Sequence, residues 1–354
     1  MKTVNLPSSI RVGLLQARSS ISFGARPVTK AGGAVAFRVP GVKESIATGG
    51  GGASWRVEPA ASGGVRLFKN GRQVVNDGVG VFANSKPLRL VYSKFRTSVR
   101  VAEKDNFYKH GFLEIDTYPG ACSGGQCLRL VVEVPLEEYV LGIAEVPPYW
   151  PVESLKTQAI IARTYAAYEI LNNGQHQSYC NCAVYDSSYD QVYIGDDRRV
   201  EAGAYWPPWK KAVLATEKIG VTYDGNVIQA FYMSSSGGHT EDNEDVWGGT
   251  PLPYLRGVRD RADAVAANSN HSWRVTMSWS DFSSRLNAYF STGSLQSFKL
   301  LAPFGASGRV TPVLGPDKGG ARIVGSARTV RASGQQIKSA LGLKDTLFRV
   351  DVTR

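Results

Sequence analysis

The sequence predicts an α+β fold, and three observations carry that prediction. Up to residue 115, apolar and polar residues alternate in short runs divided by Gly and Ser clusters, the pattern of small antiparallel strands. Residues 152–171 carry one long Ala-rich helix signal, with Val152, Leu155, Ala159, Ala162, Ala166 and Ile170 spaced for a single face. After Ile219 the chain returns to short strands, turns and capped helices. The expected arrangement is a central Ala-rich helix packed on antiparallel or mixed strands. Residues 1–87 read as a β-rich N-terminal region and residues 88–354 as the main domain.

Taken in order, strands are expected at Ile10–Leu15, Ala34–Val39, Trp55–Val57, Val65–Lys69 and Val79–Ala83. Asn70-Gly71 supplies a tight turn and Gly49–Gly52 a flexible loop. Leu88–Tyr92 and Phe112–Ile115 follow, and then Leu128–Val134, a near-continuous apolar strand closed by Pro135. Residues 136–142 read as a short helical turn. Pro147-Pro148 breaks the chain, Pro151 suits the first turn of the long helix, and Asn173-Gly174 stops it. A helix over Lys211–Glu217 leads to the clearest hairpin, Ile219–Tyr223 and Asn226–Met233 around Asp224-Gly225. Beyond a polar loop at 234–240, Trp273–Trp279 reads as a strand, and Ser280 as the cap of a helix over Asp281–Tyr289. Strands at Leu295–Leu301, Gly308–Leu314 and Arg328–Arg331, a helix between Ser333 and Gly342, and a closing strand Leu347–Val352 complete the chain.

Composition narrows the class. With 354 residues, 43% hydrophobic and 20% charged, the chain has the material for a folded core and is unlike a disordered one. It carries 41 basic against 30 acidic residues, a net charge of +11, spread without any block of like charge. That distribution argues against a nucleic-acid footprint; a diffuse positive field suits an anionic wall or membrane surface as well. No apolar run is long enough to span a bilayer, and the start has no apolar core of an intact signal peptide. Four cysteines form two local pairs, Cys122/Cys127 and Cys180/Cys182. They read as disulfide loops in an oxidising compartment, with cross-pairing left open. A zinc site using Cys180, Cys182 and His176 is disfavoured, because neither spacing matches a zinc knuckle.

Chemistry concentrates between Glu137 and Tyr168. Glu145 stands between an apolar run and the long helix, with Leu141, Ile143, Val146, Tyr149 and Trp150 around it. A carboxyl group in such company is expected to be partly desolvated by the aromatics, which suits it to acid/base work. Gln158 and Arg163 lie on the following helix but do not share a face cleanly. Tyr165 is either a core aromatic or a hydroxyl donor. The loop Ser234–Thr240 follows a strand and offers hydroxyl and imidazole groups. A Ser236/His239 hydrolase or a Cys180/His176 pair is formally available, yet neither spacing carries a triad. Trp206, Trp209 and Trp247 read first as packing groups.

These blocks together resemble the SpoIID/LytB family of bacterial cell-wall proteins. The match begins at Val134-Pro135-Leu136-Glu137-Glu138-Tyr139 and runs through Gly142, Glu145, Pro147, Gln158, Arg163 and Tyr165. It resumes at Asp190-Gln191-Val192-Tyr193 with Gly195, and again at Ser234–Gly249. The resemblance implies a lytic transglycosylase that cuts peptidoglycan glycan strands and leaves 1,6-anhydro-muramoyl ends. Ala144-Glu145-Val146-Pro147 matches the family setting of the catalytic glutamate, and a single carboxyl group is sufficient for that reaction. Gln158, Arg163, Tyr165, Gln191, Tyr193, Ser235, Ser236 and His239 are the implied substrate-binding residues. The alternative within the family is a non-catalytic enhancer of a cell-wall amidase. Zinc-binding members carry Cys just before the Gln-Val-Tyr block; here Asp190 stands there, so no metal or other cofactor is expected. The chain also ends a few residues after Phe348 without the Gly-His-Gly-rich segment of many members. Glycan strands and, on the enhancer reading, a cell-wall amidase are the expected partners, and an extracytoplasmic location is implied.

Overall fold

The alternating runs of the first half close into two sheets whose apolar faces meet. A computed structural model describes residues 5–27, 33–84, 86–93, 96–265 and 267–351. The chain divides into two compact units, Met1–Phe231 and Tyr232–Arg354. The division expected at 87/88 falls inside the larger unit, because strands on both sides of it share one sheet.

In the larger unit the first strands are β1 (Ser9–Arg18), β2 (Ile21–Pro27), β3 (Val35–Arg38), β4 (Ala47–Gly49) and β5 (Ser54–Pro59). β6 (Val65–Lys69), β7 (Arg72–Gln73), β8 (Leu88–Tyr92) and β9 (Thr97–Val101) follow. Next come β10 (Asn106–Tyr108), β11 (Phe112–Pro119), β12 (Gln126–Pro135) and β13 (Val184–Tyr185). One sheet has the order β13-β1-β12-β11-β8-β3-β4 and is mixed, because β13 runs parallel to β1. The second has the order β10-β9-β2-β5-β6-β7 and is antiparallel. Phe37 of the first sheet packs on Phe23 and Trp55 of the second, at ring separations of 6.4 and 4.8 Å. These aromatics sit in one continuous core with Leu67, Leu90, Val99, Leu113 and Ile115.

Helices α1 (Leu136–Leu141), α2 (Val152–Asn173), α3 (Asp197–Ala202) and α4 (Trp206–Ala215) belong to the same unit. Ala159, Ala162, Ala166 and Ala167 of α2 are fully buried. Small side chains there let neighbouring backbones approach closely, so α2 is covered on more than the single face its spacing predicts. A short ladder, β14 (Thr222–Tyr223) with β15 (Asn226–Val227), ends the unit. Asp224 and Gly225 take the positive φ values of a type I′ turn, as read from the sequence, but the strands are far shorter than expected.

The smaller unit carries α5 (Asn243–Trp247), α6 (Trp279–Phe290) and α7 (Gly334–Leu341) with a sheet of β16 (Leu295–Leu300), β17 (Ala321–Gly325) and β18 (Thr329–Ala332). Phe282, Leu286, Ile323, Ile337 and Leu341 are its core. Ser333 caps α7 through a reciprocal bond with Gln336, as its spacing suggests.

Five expectations are corrected. Residues 273–279 form no strand, and Ser278 rather than Ser280 caps α6, its hydroxyl accepting the Asp281 N–H at 3.0 Å. Val79–Ala83 makes only isolated bridges. Gly308–Leu314 and Leu347–Asp351 form no ladder, and Val352 lies outside the described residues. The central strand β17 was not expected; its five residues follow Gly319-Gly320, which reads locally as a loop. No described helix is long and apolar enough to cross a membrane.

Charge is also buried in the first sheet. Arg11 on β1 meets Glu114 on β11 at 2.6 Å and Glu133 on β12 at 3.2 Å, and Arg89 meets Glu114 at 2.9 Å. Burial pushes the Glu114 carboxyl up, but the two arginines outweigh it and hold it below the usual range. Arg11→Met is expected to destabilise the larger unit by about 3 kcal/mol, the low end for breaking a buried pair because Arg89 stays. Urea unfolding of the two proteins, followed by circular dichroism, measures this difference.

Candidate functional site

Glu145 follows the short helix α1 in an extended segment that pairs with residues 192–194. The Ala144 N–H donates to the Val192 carbonyl at 2.9 Å, and the Ile194 N–H to the Gly142 carbonyl at 3.0 Å. The next donor along, the Val192 N–H, goes to Glu145 Oε1 at 2.5 Å. The carboxylate therefore takes the place of a backbone acceptor at the end of the pairing. Among the described residues no donor is recorded on Oε2. This pairing brings together the two motif blocks that the sequence sets 46 positions apart, at Glu145 and Gln191.

Glycine makes the approach possible. A Cβ on Gly142 would sit 2.4 Å from the Tyr193 ring, and Gly195 takes φ +63° against the Phe107 carbonyl. Beneath the segment, Tyr193 stacks on Tyr139 with ring centroids 5.0 Å apart, and the Tyr139 hydroxyl donates to Gln191 Oε1 at 2.9 Å. Gln191 and Tyr193 are buried, so they hold the bridge from below.

The aromatics expected to desolvate Glu145 are themselves exposed. Tyr149 is 64% exposed and Trp150 41% exposed, and Tyr149 stands edge-on to Tyr205 at 5.9 Å. Both rings follow the Pro147-Pro148 break and stand exposed rather than packed into the core. Glu145 itself is half-buried.

Arg163 is fully buried. Its Nε and Nη2 donate to the two oxygens of Glu137 at 2.8 and 2.6 Å. Its remaining hydrogens meet the carbonyls of Ala159, Val213 and Ile219. The guanidinium thus ties α2 to α1 and to the end of α4. Gln158 is also buried, and its Nε2 has no hydrogen-bond partner. The Tyr165 hydroxyl donates to Asp190 Oδ1 at 2.8 Å, while Asp190 Oδ2 accepts the Tyr185 N–H at 2.7 Å. Asp190 is thereby the link between the long helix and the 185–192 segment.

Arg198 was not anticipated, because it sits in a charged run that reads as surface. It is 1% exposed, donates to the Val146 carbonyl at 2.6 Å, and lies over the Trp209 ring at 5.4 Å. Trp209 in turn donates to the Leu141 carbonyl at 2.9 Å. The pair clamps the chain on both sides of Glu145. The Asp-Asp-Arg-Arg run at 196–199 gave a signal only in hindsight: a short helix with Arg on its inner face.

Cys122 and Cys127 form one disulfide and Cys180 and Cys182 the other. His176 Nδ1 lies 2.6 Å from Asn181 Oδ1. A hollow of about 520 Å³ lined by Val35, Arg38, Thr48 and Tyr92 is formed by β3, β4 and β8 and contains none of these residues.

In the smaller unit, the loop 234–240 is organised by acids. Ser235 Oγ donates to Asp263 at 2.9 Å, the Ser236 N–H to Asp263 Oδ1 at 2.9 Å, and Ser236 Oγ to Asp260 at 2.9 Å. His271 Nδ1 meets Asp263 Oδ2 at 2.6 Å. Ser236 is buried, whereas Ser235 and His239 are half-buried. His239 Nδ1 faces the Thr240 carbonyl at 2.6 Å, and Arg309 holds the loop by donating to the Ser236 and His239 carbonyls. Both serine hydroxyls donate to carboxylates, an arrangement that leaves the Ser236/His239 pair without nucleophile activation.

Against known proteins, residues 125–223 match the SpoIID model, described as stage II sporulation protein. This stretch, part of the larger unit, is similar to the SpoIID family domain. The family match covers α1, α2, the Glu145 segment and the 190–195 block that pairs with it. Stage II sporulation protein D of Bacillus subtilis is 33% identical over 140 residues, 38% of this chain and 40% of that protein. An uncharacterized protein of Brachyspira hyodysenteriae is 37% identical over 131 residues, 36% of this chain and 33% of the relative. The amidase enhancer of Bacillus subtilis is 33% identical over 134 residues, 38% of this chain and 16% of that protein. The chain thus spans well under half the length of these relatives.

The Asp263 cluster generates a pH prediction. Burial pushes its carboxyl up, but His271, the Ser236 N–H and the Ser235 hydroxyl outweigh this and bring it down to about 2. A depressed folded value stabilises fully above the unfolded value near 3.9, and the benefit fades as pH falls towards about 2. Melting temperatures of the wild type and Asp263→Asn are expected to differ most above pH about 4 and to converge near pH about 2.

Proposed function

We propose that the chain cuts peptidoglycan glycan strands as a lytic transglycosylase, with Glu145 as its single acid/base. The observation that supports this most is the fixed carboxylate of Glu145, held at one oxygen by the Val192 N–H inside the SpoIID-matched segment. Holding Oε1 orients Oε2, the oxygen assigned to proton transfer. In the first half of the reaction Glu145 protonates the glycosidic oxygen between N-acetylmuramic acid and N-acetylglucosamine, and the C1–O bond breaks. In the second half the muramoyl 6-hydroxyl bonds to C1 and its proton returns to Glu145. The 1,6-anhydro ring forms, no water is consumed, and the carboxyl group is restored.

The roles of the other residues follow from their contacts. Arg163, Gln191 and Tyr193 act as positioning residues, because each is buried and engaged within the fold. Tyr165 positions the 185–192 segment through Asp190. Gln158, with its unpaired Nε2, is the substrate-binding residue of the long helix. In the smaller unit the half-buried Ser235 and His239 are the candidates for sugar contact, and the buried Ser236 shapes their loop. Such a substrate places the protein outside the cytoplasm.

A second reading is supported by the similarity to an amidase enhancer: the domain binds wall glycan and stimulates an amidase without cutting the strand itself. Product analysis separates the two. Purified glycan strands incubated with the wild type should yield anhydro-muramoyl ends by mass spectrometry, and Glu145→Gln should lower their rate of formation about 100-fold or more. Absence of these ends with both proteins, together with faster amidase release of stem peptides, would overturn the enzyme reading in favour of the enhancer.

A further inference from the structure

The segment that holds Glu145 also carries a cluster of wet aromatic rings. Tyr179 is 58% exposed and Tyr189 is 78% exposed. Both pack on Tyr185, at centroid distances of 5.9 and 5.8 Å. The fold gives these rings a rigid base. Under Tyr185 lies the fully buried Cys180–Cys182 disulfide. Asn181 between the two cysteines donates to Asp116 at 2.9 Å, and its carbonyl accepts from Arg11 at 3.0 Å. Gln177 donates to the Ala183 carbonyl at 2.8 Å, and Asp190 receives the Tyr185 N–H at 2.7 Å. All but the Asn181–Asp116 contact, which joins two side chains, hold backbone. The Tyr179 hydroxyl also donates to Gln177 Oε1, but the faces of the Tyr179 and Tyr189 rings stay in water, and the fold does not account for two large aromatics exposed there.

We infer that Tyr179, Tyr185 and Tyr189 form a sugar-stacking subsite that binds the pyranose rings of the glycan strand beside Glu145. This inference rests on the glycan-strand reading above. Position is the first argument. Tyr189 is three residues from Val192, whose N–H holds the carboxylate, so the ring is anchored within about 11 Å of that donor along the chain. The chemistry of the patch is the second. Residues 176–190 contain no Lys, Arg, Leu, Ile, Met or Phe, and their Ala183 and Val184 are buried. What the segment offers outward is phenol rings, serines, amides, a carboxylate and the His176 imidazole, while the neighbouring Lys104 and Arg129 are paired with Asp186 and Asp116.

That inventory fits one kind of partner. A nucleic acid or anionic lipid requires cations, and an apolar helix requires aliphatic side chains. A pyranose has a C–H face for an aromatic ring and hydroxyls for the polar rim. Burial, and then the Asp190 carboxylate, push the Tyr179 and Tyr185 hydroxyls up from a phenol value already well above neutral, so both rings stay uncharged. Because the backbone beneath is already fixed, little ordering entropy opposes binding.

The test uses the full chain and four proteins: wild type, Tyr179→Ala/Tyr189→Ala, Tyr179→Phe/Tyr189→Phe and Glu145→Gln. Co-sedimentation with purified glycan strands and titration with N-acetylglucosamine oligomers measure binding, and mass spectrometry of the products measures cleavage. The Ala pair should weaken glycan binding about tenfold, while the Phe pair, which keeps the rings, stays within about twofold of the wild type. Glu145→Gln should bind like the wild type. Thermal melts of the exposed-site variants should match the wild type. If the Ala pair binds glycan as tightly as the wild type, the subsite is overturned even when cleavage is present. If the wild type yields no anhydro ends but binding is lost with Ala and kept with Phe, the subsite stands and the catalytic reading falls. An equal loss of binding to anionic phosphatidylglycerol vesicles without any loss on glycan would also overturn it.

Discussion

The pairing of residues 142–145 with 192–194 is the contact on which the larger unit's site depends. It is short, with two backbone hydrogen bonds and one from a backbone amide to a side-chain carboxylate, and it joins segments from opposite ends of the long helix. So small a ladder is not stable alone in water. Its support comes from beneath, where Tyr139, Gln191 and Tyr193 form a buried stack, and from the sides. There Arg198 and Trp209 bond the Val146 and Leu141 carbonyls. Each support occupies a carbonyl or ring that would otherwise be buried without a partner, so the segment has one satisfied arrangement.

The same logic explains why so many motif residues lie inside the protein. Arg163 buried alone would carry a large desolvation penalty; with both oxygens of Glu137 and three carbonyls around it, the charge is met at every nitrogen. Its geometry fixes the angle between α1 and α2, and α1 leads directly into Glu145. Asp190 does the corresponding work for the opposite segment, accepting from Tyr165 on one side and from the Tyr185 backbone on the other. The charged groups of the motif thus build the frame, and the groups left facing water are a different set: Glu145, Tyr149, Trp150, Tyr179 and Tyr189.

That division was only partly legible in the sequence. The long helix, its Pro start and Gly stop, the 126–135 strand, the Asp224-Gly225 turn and the Ser333 cap follow from local chemistry, and local chemistry is what a sequence displays. Glu145 stood out for the same reason. The burial of Arg163 and Arg198 did not, because a charged side chain reads as surface until the acid or carbonyl that meets it is known. The exposure of Tyr149 and Trp150 was missed because aromatic residues read as core, and only the path after Pro147-Pro148 decides otherwise. Residues 273–279 alternate like a strand, yet 273–278 join no sheet among the described residues and Trp279 already begins α6.

The donor that fixes Glu145 is a main-chain amide, and this has a consequence for how the protein tolerates change. Every residue except proline supplies that N–H, so position 192 can drift in size and polarity without releasing the carboxylate. Position 142 has no such freedom, since any side chain would strike Tyr193. The fragile part of the arrangement therefore lies in a glycine that touches no substrate, and a random substitution there should be felt at Glu145 more than most changes among the exposed residues around it.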